Sequence, residues 1–280
     1  MQPRDPKPVI VCADDFAFSQ SVSQGIVQLA ARHRISATSA MVLSPRWPGD
    51  VALLRELRGR VAVGLHLDWT SPLALTAGHG LSLGGAMLRS IAGRFDRTQV
   101  TAVIERQLDA FEAHWKGAPD HIDGHQHVHQ FHGIREPLLE VLDRRYGAGA
   151  GPWVRVSRPV GAGAGVKGRV VAAMGAQPLA DGLQQRGRAA SPALVGMYGF
   201  DGSSSDYAAR LEGWLRDAPA GAVLMCHPAA QAEAGDAIGA ARLREFEVWG
   251  GEAASAALAR TNSRPARGPA PGPVPGLAAR

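Results

Sequence analysis

The feature that most constrains this chain is a five-residue apolar run, Val9-Ile10-Val11-Cys12-Ala13, ending in two adjacent carboxylates, Asp14 and Asp15. So short a run, rich in β-branched residues, reads as a strand buried on both faces, the signature of a parallel sheet. In α/β proteins the C-terminal ends of such strands deliver polar side chains to the loops where chemistry occurs. Two like charges at the mouth of an apolar strand repel each other unless a cation, a proton or hydrogen-bond donors offset them. A divalent metal would do so directly.

The strand-loop-helix order recurs along the chain. A helix opens near Ser21, with a capping-box pattern to Gln24, and carries Val22, Ile26 and Leu29 at helical spacing. Periodicity predicts strands over 37–43, 61–67, 120–123, 153–156 and 222–226, and helices over 50–58, 98–115, 133–145 and 206–217. In a chain of 280 residues with 45% hydrophobic content, this alternation argues for one α/β domain, a parallel sheet or a (β/α) barrel. We assign residues 1–260 to that domain and expect the Pro-, Gly-, Ala- and Arg-rich tail, 261–280, to be disordered. Stretches 71–94 and 160–190 are too long for ordinary βα loops and are expected to cover the site.

Composition excludes other classes. Only three of the 30 basic residues are lysine, and the arginines are scattered outside the tail, so a net charge of +5 does not mark a nucleic-acid binder. No stretch approaches about 20 apolar residues, and residues 1–8 carry charge and three prolines in place of a signal-peptide core. We therefore expect a cytoplasmic protein without stable membrane insertion. Cys12 and Cys226, each in an apolar run, are expected to be reduced and buried. A homodimer is the default assembly.

A second dense polar segment, His121-Ile-Asp-Gly-His125-Gln-His127-Val-His129, follows a hundred residues after the carboxylates. If extended, it points Asp123, His125, His127 and His129 to one side; if helical, only His125, His129 and His132 share a face. Gly124 favours a strand running into a loop. Imidazoles two residues apart on a strand are separated by about 6.6 Å, so not all can reach one ion. One is expected as a metal ligand, the others as hydrogen-bonding supports or substrate contacts. His66 closes the strand 61–67 and is a further ligand candidate, and His227 follows the strand 222–226 and precedes Pro228. Four strand ends converging on one face describe the mouth of a barrel.

Ala13-Asp14-Asp15-Phe16, Gly64-Leu65-His66, the histidine segment and Met225-Cys226-His227-Pro228 resemble, in order, the motifs of the YdjC-like carbohydrate deacetylases, which include chito-oligosaccharide deacetylases and a hopanoid-associated branch. The resemblance implies an irregular (β/α) barrel of the glycoside hydrolase/deacetylase type. It also implies a metal-dependent hydrolase that removes an acetyl group from an N-acetylated sugar, whether oligosaccharide or glycolipid, using one divalent ion (Mg, Zn or Mn). It further assigns Asp15, His66 and His125 to the metal, Asp14 as general base and His227 as general acid. His127 and His129 are carried as substrate contacts, and Arg155 as a contact of substrate or of Asp14. Ala17 stands where the family usually has glycine, so the loop after Asp15 is expected to differ. Substrate specificity is expected to reside in 160–190. The rivals are another metal hydrolase, such as a phosphoesterase or amidase, and a non-catalytic glycan-binding barrel. A phosphoesterase would want a second metal and more carboxylates, and a binder would need neither Asp14 nor His227.

Overall fold

The computed structural model describes residues 5–161 and 165–269. Strands β1 (Lys7–Phe16), β2 (Ala37–Ala40), β3 (Ala62–Leu67), β4 (His121–Gly124), β5 (Trp153–Val154), β6 (Leu194–Val195) and β7 (Val223–Cys226) pair in the order β5-β4-β3-β2-β1-β7-β6. Every pairing is parallel, and β8 (Ser263–Pro265) joins the first residues of β1. Isolated bridges from Val154 to Ala190 and from Pro159 to Leu194 connect the β5 and β6 ends, so the sheet curls into an irregular (β/α) barrel. Every residue of β1 from Val9 to Phe16 is buried, as the unbroken apolar run requires of a central strand covered on both faces.

Eleven helices are present among the described residues: α1 (Gln20–Ala31), α2 (Trp47–Arg55), α3 (Pro72–Thr76), α4 (Leu83–Ile91), α5 (Arg97–Trp115), α6 (Arg135–Tyr146), α7 (Gly165–Ala173), α8 (Ala176–Gln185), α9 (Ser204–Asp217), α10 (Gly239–Gly250) and α11 (Glu252–Arg260). Helix α5 turns Val100, Ile104, Leu108 and Phe111 inward, and α9 buries Tyr207, Leu211, Trp214 and Leu215, as their periodicity predicted. The predicted strands and helices are all present, with ends shifted by up to three residues.

Two expectations are corrected, the helix cap and the start of the tail, and the two long stretches gain internal structure. Helix α1 is capped by Ser19, whose hydroxyl accepts the Val22 N–H at 3.3 Å. Ser21 instead exchanges hydrogen bonds with the backbone of Gln231, at 2.7 and 2.8 Å, which ties the start of α1 to the loop after β7. The stretches 71–94 and 160–190 contain short helices, α3 with α4 and α7 with α8. The tail expected from residue 261 begins with β8, since Lys7 to Val9 offer an open parallel edge there; its end, residues 270–280, lies outside the described residues. Both cysteines are free and buried, as expected.

Candidate active site

The strand ends of β1, β3, β4 and β7 open into one cavity of about 580 Å³. Adjacent residues of a regular strand face opposite sides, yet Asp14 and Asp15 both line this cavity. A bulge reconciles the two facts: β1 takes three steps from Ala13 to Phe16 where β2 takes two from Thr38 to Ala40. Within the bulge Asp15 adopts φ 71°, and Ala17 follows at φ 70°. This left-handed region is open to glycine and costs another residue about 1–2 kcal/mol. At Ala17 the conformation is held by burial and by an N–H bond to Ser23 Oγ at 3.1 Å.

Asp15 Oδ1 lies 3.3 Å from His125 Nδ1 and 3.4 Å from His66 Nε2. The three donor atoms lie within 4.8 Å of one another. His66 Nδ1 is 2.7 Å from Asp123 Oδ1, a contact that makes Nδ1 the protonated nitrogen and turns the Nε2 lone pair toward Asp15. Lone pairs from a carboxylate and two imidazoles thus converge on one point, an arrangement that fits a divalent cation. Burial alone would depress His66, but Asp123, Asp15 and Asp14 outweigh it and raise the ring well above the usual imidazole range, so a cation bound here would take the place of the Nε2 proton. Burial would raise Asp15, but Arg242 and the bonds to His125 and His66 hold it well below the usual carboxylate range.

Beneath the cavity, a fully buried Arg155 donates to both oxygens of Asp14 at 2.7 Å, reaches Cys12 Sγ at 3.1 Å and pairs with Asp123. Ser39 Oγ donates to Asp123 Oδ2 at 2.6 Å. Gly64 of the Gly-Leu-His motif is required by this layer, because a Cβ there would stand 2.3 Å from the His121 ring. Two other groupings hold metal-type donors, Cys12/His121/Asp123 and Asp14/His66/Asp123. Each is already bound to the Arg155 guanidinium.

The histidine segment does not continue as a strand. Strand β4 stops at Gly124, and a 3-10 turn, His125–Gln130, follows with Gln126 and His127 at φ 52° and 64°. This turn breaks the alternation expected for the imidazoles. His125 reaches the cavity, as does His127, whose Nδ1 is 2.9 Å from Ser157 Oγ. His129 is fully buried outside the cavity lining, with Nε2 donating to the Arg155 carbonyl at 2.8 Å. Arg155, expected at the substrate or at Asp14, reaches Asp14, whereas His129, expected at the substrate, lies outside the lining and braces the Arg155 backbone.

His227 enters the cavity from the end of β7, edge-on to Phe200 with ring centroids 5.3 Å apart. Among the described residues its Nδ1 is buried without a partner, and burial, outweighing Asp15 and Asp14, holds the ring down at about 4. Two functional supports were missed from the sequence, both on α10. Arg242 donates to Asp15 Oδ2 at 2.7 Å and is held by Asp236 at 2.7 Å. Glu245, one turn on, accepts the His227 N–H at 2.6 Å and the Tyr198 hydroxyl at 2.6 Å, and burial pushes its carboxyl up to about 7. One helix therefore fixes a candidate metal ligand and the candidate acid together.

The fold and site together define a (β/α) barrel whose mouth carries a buried carboxylate-diimidazole cluster beside a second carboxylate and a further histidine. The chain belongs to the YdjC-like protein family, whose model matches residues 8–260. It is 31% identical over 159 residues, covering 55% of this chain, to a chitooligosaccharide deacetylase of Enterobacter sp. (strain 638), and 30% identical over 151 residues, covering 50%, to the human carbohydrate deacetylase. The matches span 61% and 46% of those relatives' own lengths. A crystal structure of a candidate cellobiose-phosphate cleavage protein from Enterococcus faecalis V583 superposes with a TM-score of 0.69 at 20% identity, covering 94% of this chain and 98% of that one, which establishes the shared fold.

Proposed function

We propose that this protein is a metal-dependent hydrolase that removes the acetyl group from an N-acetylated sugar, an oligosaccharide or a glycolipid. The observation that carries the reading is the convergence of Asp15, His66 and His125 in a cavity also lined by Asp14 and His227. Deacetylase relatives support the reaction class.

Asp15, His66 and His125 would hold one divalent ion. Bound there, it would lower the pKa of a water molecule and stabilise the oxyanion that develops at the amide carbon. Two imidazoles beside one carboxylate form a donor set that suits zinc. Asp14 accepts the proton of the attacking water. Arg155, bonded to both its oxygens, fixes the carboxylate's orientation, and each oxygen keeps a lone pair for the proton. His227 is neutral at rest, so the proton that Asp14 takes from the attacking water would pass through His227 to the departing amine, returning both side chains to their starting state. His127, anchored by Ser157, contacts the sugar.

A two-metal phosphoesterase is disfavoured because, among the described residues, the neighbouring donor groupings are bound to Arg155. The buried free thiols suit a reducing cytoplasm. Acetate release from a chitin oligomer, an alkyl N-acetylglucosaminide and a nucleotide sugar tests the proposal. Release from at least one, abolished by chelation, is expected; no release from any contradicts it.

A further inference from the structure

The two excursions that wall the cavity also carry apolar stripes that leave it and continue into solvent. On α4, Leu83, Met87 and Ile91 recur every fourth residue and so share one face. Leu83 and Met87 line the cavity, whereas Ile91 is 74% exposed. Val166 and Val170 repeat the spacing on α7, and Met174 stands one step beyond. Val170 and Met174 line the cavity, whereas Val166 is 69% exposed. Leu88, 69% exposed, widens the patch on α4. The apolar wall of the cavity is thus continuous with an open apolar rim, and clustered exposure of this kind marks a contact surface.

The charge on these two excursions is one-sided. Residues 69–95 and 144–180 together contain no Asp or Glu, although 25 acidic residues in 280 would place about six in 64 positions. Arg89, Lys167 and Arg169 stand on the same two helices as the stripes, and none is in an ion pair among the described residues. By contrast, Arg145 on α6 is matched by Glu105, Asp109 and Glu112 of α5.

We propose that this face docks on the surface of an anionic phospholipid bilayer, with the stripe ends of α4 and α7 in the headgroup boundary, the cations among the phosphates and the cavity mouth turned toward the lipid. A second copy of the chain is a poorer occupant, because a two-fold interface would set the same uncompensated cations against each other. No helix among the described residues is long and apolar enough to cross a membrane, so the contact is peripheral. The inference stands on surface geometry and charge, apart from the hydrolytic reading.

Co-sedimentation of the full chain with phosphatidylcholine vesicles, with and without phosphatidylglycerol, tests it. The chain is expected to partition onto the anionic vesicles at low salt and to be released at high salt. The double variant Ile91→Asp/Val166→Asp, in which both changed side chains are solvent-exposed, should keep its circular dichroism spectrum and its metal content and bind at least about tenfold more weakly. Arg89→Gln and Arg169→Gln should each weaken binding about fivefold. Absence of binding to anionic vesicles at low salt would overturn the proposal, as would equal binding by the double variant. A wild-type dimer that the double variant turns into a monomer in sedimentation velocity would also overturn it, assigning the face to a second copy.

Discussion

Arg155 Nη1 and Nη2 each lie 2.7 Å from an oxygen of Asp14, and neither side chain is more than 2% exposed. The candidate base is therefore oriented by a cation that does not itself line the cavity. The same guanidinium pairs with Asp123, the carboxylate that orients His66, so one buried arginine couples the base to the candidate metal ligands.

Removing that arginine should be costly. Arg155→Met leaves two buried carboxylates without their cation, and breaking one side of a buried ion pair costs about 3–5 kcal/mol. Urea denaturation should show a loss of this size. Arg155→Lys should recover part of the stability but less of the activity, since a lysine cannot hold both oxygens of Asp14 in one plane. A loss below about 1 kcal/mol in Arg155→Met would contradict the coupling.

Asp14→Asn tests the base itself. The amide preserves shape but accepts no proton, so kcat should fall by roughly 10² or more while metal content stays near that of the wild type. Wild-type turnover would show that Asp14 only tunes its neighbour.

For His227, the account predicts that His227→Ala lowers kcat more than it raises KM, because the proton is needed only as the C–N bond breaks. An activated aryl acetate, whose leaving group needs no proton, should be penalised less. Since burial holds the ring at about 4, kcat/KM should show no decline between pH 6 and 8 that belongs to His227. Equal losses on both substrates, or a fall centred near pH 6.5 that disappears in His227→Ala, would refute this role.

Stability should fall on acidification in a definite window. His121, His129 and His227 are each lowered from 6.5 to about 4 by burial, so between those values the unfolded chain binds protons that the folded chain refuses. Their contribution is full above pH 6.5 and is lost as pH falls toward 4. Glu245, raised by burial from 4.5 to about 7, works in the opposite sense, its contribution being full below 4.5 and lost as pH rises through 7. His127 is lowered in the same way and His66 is raised, so four lowered histidines stand against two raised groups, and Tm should drop by on the order of 10 °C between pH 7 and pH 4.5. A flat Tm across that interval would contradict the buried neutral state of the histidines.

Much of the site was legible because its parts occupy strand ends. An apolar run that stops at Asp14-Asp15, His66 or His227 betrays both its burial and the direction its last side chain faces. The histidine segment was legible as a cluster but not in detail, since the left-handed turn at Gln126 and His127 has no signature that alternation would reveal. Arg242 and Glu245 were not legible. Charged residues three apart on a helix usually mark a solvated face, and only the packing of α10 against the ends of β1 and β7 shows these two to be buried and paired. The expectation that 71–94 and 160–190 cover the site rested on length alone, and both stretches line the cavity.

The central claim is that Asp15, His66 and His125 hold one divalent ion, and metal content per chain, measured by mass spectrometry after zinc loading and desalting, tests it most directly. The account predicts about one ion per wild-type chain and well under half that in each of Asp15→Ala, His66→Ala and His125→Ala, the loss expected when one of three protein ligands is removed. Near-stoichiometric zinc in all three folded variants would contradict it.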